Sequence, residues 1–172
     1  MHMLKQLIRN KVRSTLIAVL VLAVALVLAG CNVQPAGVST DEHAAENRQY
    51  MALLNQKTSE LEEVLAQFQE AVSTGDAVNM KAAASEASKI VESIEKTEAT
   101  ESLADVKEAY VKGLSDINTA MNDYAALYSN VASGSVKKAD FERQLKAIQL
   151  DYDKAYEELT EADELLTQLA NE

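Results

Sequence analysis

Apolar positions recur every three or four residues along most of this chain, the spacing that lines one face of an α-helix. The first such seam runs through Tyr50, Leu54, Lys57, Leu61, Val64, Phe68 and Ala71, flanked by Leu53, Leu65 and Val72. Ser39-Thr40-Asp41-Glu42 precedes it with a capping-box pattern, Ser followed three positions later by Glu. The helix is predicted to stop at Thr74-Gly75, with Asp76 placed to cap the next one. Lys57 is the one charged residue on this seam, and its long stem allows the ammonium to snorkel to water.

The second seam is shorter and richer in alanine: Met80, Ala83, Ala87, Ile90 and Ile94, with Ala82 and Ala84 beside them. After the break KTEATES, Lys96 to Ser102, a third seam carries Val106, Tyr110, Leu114, Ile117, Met121, Tyr124, Tyr128 and Val131 and ends at Ser133-Gly134. The fourth is the most regular, from Phe141 through Leu145, Ile148, Tyr152, Ala155, Leu159, Ala162 and Leu166 to Leu169. Seam aromatics and methionines read as core, with tyrosine rings buried and hydroxyls sent to the bundle edge. Gly113, inside the third helix, permits either a close contact or a kink.

A shift of 60 residues places Tyr50 on Tyr110, Leu54 on Leu114 and Phe68 on Tyr128, and brings Gly75 within one residue of Gly134. Four helices joined as two similar hairpins predict an all-α fold, an elongated up-down four-helix bundle. A helix of about 35 residues is ~50 Å long.

The first thirty residues follow a different pattern. Lys5, Arg9, Lys11 and Arg13 precede Leu16–Gly30, a run with no charged or polar side chain. Basic flank, short apolar core and small residues before a break make up the layout of a signal peptide. A permanent signal anchor is the competing reading, but a spanning helix usually needs about 20 apolar residues.

Leu28-Ala29-Gly30-Cys31 ends that run with the only cysteine in the chain. The tetrad resembles the lipobox of bacterial lipoproteins. The resemblance implies diacylglyceryl attachment to the Cys31 sulfur, cleavage between Gly30 and Cys31, and lipidated Cys31 as the mature N-terminus. Two acyl chains suffice for a stable anchor where one does not, at about 0.8 kcal/mol per buried CH₂. The expected organisation is a signal peptide over 1–30, a lipidated cysteine and linker over 31–39, and a helical domain over 40–172. The linker contains Pro35 and Gly37 and no charge.

Charge separates the segments further. Residues 31–172 carry 12 basic and 27 acidic side chains, a net of −15, which argues against nucleic-acid partners. In an up-down arrangement the lipid-proximal end gathers Asp41, Glu42 and Glu46, Glu95, Glu98 and Glu101, and Glu157, Glu158, Glu161, Asp163 and Glu164, and the far end holds Lys81, Lys137 and Lys138. An acidic pole of that kind would be repelled by anionic lipids and hold the rod upright.

Sequence chemistry is otherwise sparse. His43 is the only histidine after the signal segment, and the Glu-x-x-His pairs of di-iron bundles are missing. No Cys/His pair, glycine-rich phosphate loop or G-x-S-x-G context occurs. Glu157, Glu161 and Glu164 share a helix face and offer at most a loose calcium site. The expectation is therefore a lipoprotein on the extracytoplasmic face of a bacterial membrane, similar to small helical lipoproteins. It would make envelope or protein contacts, with no catalysis, no metal and no cofactor beyond the lipid on Cys31. The alternative is a small-molecule sensor or carrier, which needs a cavity around Tyr110, Tyr124 and Tyr128.

Overall fold

The computed structural model describes residues 43–169. Four α-helices make up most of this span: α1 Ala44–Thr74, α2 Ala77–Lys96, α3 Ala104–Ser133 and α4 Lys138–Leu169, with a 3-10 turn at Glu101–Leu103 ahead of α3. The described residues contain no strand, so this span is all-α as its periodicity predicts.

Local chemistry fixes the helix ends. Gly75 closes α1 at φ 74°, and the N–H of Asp76 donates back to the Ala71 carbonyl at 2.8 Å. Gly134 closes α3 at φ 77°, with Ser135 N–H donating to the Asn130 carbonyl at 2.9 Å. Both are left-handed glycine caps, a conformation that costs other residues a steric clash. Asp76 caps α2 as predicted, its carboxylate accepting from the backbone N–H groups of Val78 and Asn79 at 3.0 and 3.1 Å. At the start of α1 the N-cap is His43, without a side-chain cap bond; the capping box at Ser39–Glu42 lies outside the described residues.

Helices pack in chain order, α1 on α2, α2 on α3, and most closely α3 on α4. Gly113 accounts for part of that closeness. A Cβ added there would lie 2.7 Å from Leu159 Cγ and 3.1 Å from the Ala155 carbonyl oxygen, while α3 runs unbroken through the position. The glycine therefore serves a close approach and not a kink. Ion pairs flank the same interface, Lys154 to Asp116 at 2.6 Å and Lys112 to Glu158. They are partly exposed and so contribute little. Asn118 of α3 reaches Ser88 of α2 at 2.8 Å.

One apolar core joins all four helices, and the described residues include no buried polar or charged residue. Most predicted seam positions are buried. Ala82 is exposed instead, while Val91, Leu103, Ala109, Ala120, Ala125 and Leu127 are buried although no seam included them. Leu53 and Lys57 are half-buried, and Leu169 is exposed at the end of α4. The repeat holds for the turns and for α1 and α3, 31 and 30 residues long, but not for the returning helices, with 20 residues in α2 and 32 in α4.

Candidate functional site

The residues singled out for function by sequence, Leu28, Ala29, Gly30 and Cys31, lie outside the described residues. The helical domain offers tyrosines packed in its core and surface grooves beside α2.

Tyr110 and Tyr124 are almost completely buried and Tyr128 is half-buried. Phe68 meets Tyr124 edge-on, with ring centroids 6.0 Å apart, a favourable geometry for two quadrupoles. The Tyr128 hydroxyl occupies the space that a Cβ on Gly75 would need. Tyr110 donates from its hydroxyl to the Asp163 carboxylate at 2.5 Å. Burial holds the Asp163 carboxyl above its usual range, and the Tyr110 hydrogen bond pulls it the other way. Tyr110 and Asp163 lie 53 residues apart on helices expected to form a hairpin, but the periodic pattern does not set which residues face each other across it. Only the acid's position at the edge of the α4 seam hinted at a partner.

Tyr50 departs from the expectation for seam tyrosines. It is 4% exposed, and its hydroxyl is buried without a hydrogen-bond partner among the described residues, where the sequence had placed it at a wet edge. Burial pushes its pKa up to about 12, as it does for Tyr152. One helical turn earlier, Asn47 donates to the Ser102 hydroxyl at 3.1 Å and accepts from the Thr100 hydroxyl. This polar knot ties the start of α1 to the α2–α3 connection. Lys107 secures the same connection by donating to the Thr97 carbonyl at 2.6 Å. The periodic pattern carries no sign of the knot, because all its members fall outside the seams.

Lys57 does leave the seam, its ammonium donating to Glu60 at 2.7 Å. That bond, with one from Gln56, holds the Glu60 carboxyl below its usual range. His43 is exposed and bonds to Glu46 at 2.8 Å, three positions along the helix. No set of three or more His, Cys, Asp or Glu side chains placed to hold a metal ion occurs among the described residues.

A groove of about 650 Å³ lies beside the α2–α3 connection, lined by Ala99, Ala104 and Val111 together with Glu95, Glu98, Glu108, Lys107 and Lys112. A second, of about 750 Å³, lies between α1 and α2 and is lined by Ala66, Ala71, Ala82, Ala83, Glu70 and Glu86. Neither is lined by the tyrosines of the interior. Among the described residues no helix is long and apolar enough to cross a membrane. No known family, curated protein or solved structure matches the chain.

Proposed function

We propose that this chain is a bacterial lipoprotein, carried by lipidated Cys31 on the extracytoplasmic face of the membrane. Its helical body is an up-down four-helix bundle that makes non-catalytic contacts with envelope or protein partners. The observation that carries the reading is Leu28-Ala29-Gly30-Cys31, standing at the end of an apolar run behind four basic residues. The lone cysteine fits the same reading, since an unpaired thiol is a liability in an oxidising compartment and acylation caps it.

Two further observations support the bundle and its role. Near the helix ends, Gly75 lies against Tyr128, while Asn47 meets Thr100 and Ser102 and Tyr110 meets Asp163. That is the arrangement expected when successive helices alternate in direction. Tyr110 and Tyr124 are themselves buried in the core, and neither groove is lined by Tyr110, Tyr124 or Tyr128, which supports a contact module over the alternative of a carrier binding between the helices.

Fractionation of cells producing the full chain tests the proposal. The wild-type protein is expected in the membrane fraction, with a diacylglyceryl thioether on its N-terminal cysteine by mass spectrometry. The Cys31→Ser variant is expected to accumulate as uncleaved precursor. A wild-type chain released in soluble form, or an unmodified sulfur still joined to residues 1–30, would refute it.

A further inference from the structure

The groove beside the α2–α3 connection combines apolar surface with unbalanced charge. Ala104, Glu108 and Val111 follow one face of α3 and line it over about 10 Å at 1.5 Å per residue. Glu95 lines it from α2, and Glu98 and Ala99 from the connection. Ala99 and Val111 are half-buried and pack against the core, so apolar surface continues from the interior into the groove.

The carboxylates of Glu95, Glu98 and Glu108 are exposed and make no ion pair or hydrogen bond among the described residues. Both lysines of the lining are engaged. Lys112 pairs with Glu158, and the Lys107 ammonium donates to the Thr97 carbonyl at 2.6 Å. Lys107 offsets one of the three carboxylates, which leaves a surplus of two negative charges on the lining. The groove between α1 and α2 lacks this combination, since Glu86 there is already paired with Lys89 at 2.9 Å.

The groove is held in shape before anything enters it. Lys107 ties α3 to the connection, and the Asn47 knot ties the connection to α1. A preformed site loses less ordering entropy on binding. Three extended residues at ~3.3–3.6 Å each span about 10 Å, the length of the α3 face that lines the groove. An aliphatic side chain flanked by cations is the chemistry that answers Val111, Ala99 and Ala104 among unpaired glutamates.

We propose that this groove docks a short, extended segment of a partner protein, with an aliphatic side chain against Val111 and flanking lysines or arginines on Glu95, Glu98 and Glu108. The proposal rests on the contact role of the helical body and names the partner's chemistry. It is independent of the lipid on Cys31.

Titration of the full chain in mild detergent tests it, with the Val111 methyl resonances as reporter and the end-blocked peptide Lys-Ser-Leu-Ser-Lys as probe. When extended, that peptide presents its leucine and both lysines on one side. Saturable binding is expected. Changing Glu95, Glu98 and Glu108 together to Gln is expected to weaken it about tenfold, the loss of three exposed ion pairs. Changing Glu157, Glu161 and Glu164 together to Gln removes the same charge from α4 and is expected to weaken it about twofold at most. All six glutamates are exposed, so both variants are expected to keep the helical circular dichroism of the wild type. No saturable shift at Val111, or equal losses in the two variants, would overturn the proposal. So would equal binding of Glu-Ser-Leu-Ser-Glu, or spermidine binding as tightly as the peptide, which would make the occupant a free polyamine. A failed titration leaves the fractionation of the Cys31→Ser variant untouched, so the docking and the anchoring fail separately.

Discussion

Asp163 carries a charge in a place that opposes it. Its carboxyl is half-buried against α3, and desolvation raises its pKa although Tyr110 donates to it. With its folded-state pKa above the unfolded value, the native state binds the proton more tightly. This group's contribution to stability is therefore fully present below the unfolded pKa and is lost as pH rises through the folded one. Asp163→Asn keeps an acceptor for Tyr110 and removes the charge. It is expected to be at least as stable as wild type at pH 7 and to flatten that acid-side slope in urea titrations. Tyr110→Phe acts in the opposite sense, leaving the carboxylate without its donor at a cost of about 1–3 kcal/mol. A marked loss of stability at neutral pH in Asp163→Asn would contradict this account.

At the scale of the element, two turns with the same backbone differ in their surroundings. Gly75 and Gly134 both hold φ near +75°, but a Cβ on Gly75 runs into the Tyr128 hydroxyl while one on Gly134 meets nothing within 4 Å. Gly134→Ala is expected to cost only the left-handed strain, about 1–2 kcal/mol. Gly75→Ala adds a steric clash and is expected to cost about 1–3 kcal/mol more. Equal losses in chemical denaturation would show that Tyr128 simply moves aside. Helix ends of this kind were legible in the sequence, because glycine after the last apolar position and Asp76 before the next helix each have a defined backbone role. The close approach of α3 to α4 was legible only in part, since Gly113 allowed a close contact or a kink and named no neighbour. Its signal is the size of Ala109, Gly113, Ala120, Ala155 and Ala162, whereas a periodic reading is led by the large side chains. Tyr50 escaped for a related reason: the pattern shows that a ring goes inward, but not how deep its hydroxyl ends.

For the whole molecule, the division at residue 40 is the main expectation. The core draws on all four helices and the described residues bury no charge, so a chain beginning at residue 40 has what it needs to fold unaided. Its circular dichroism spectrum should be strongly helical and its unfolding cooperative; a weakly helical or β-rich spectrum would show that the preceding residues are required. The opening thirty-one residues were read from chemistry alone, as charge, greasiness and one thiol in order. The helical body was read from periodicity, which fixes what is inside but carries no partner's name.

Packing in chain order also sets an order of release under load. α1 leans chiefly on α2, while α3 and α4 hold each other most closely. If the chain is hauled from its N-terminal end while something grips α4, α1 strips away first and the last pair endures longest. Anchored as proposed, the chain would lengthen in stages under shear, yielding slack before it lost its grip.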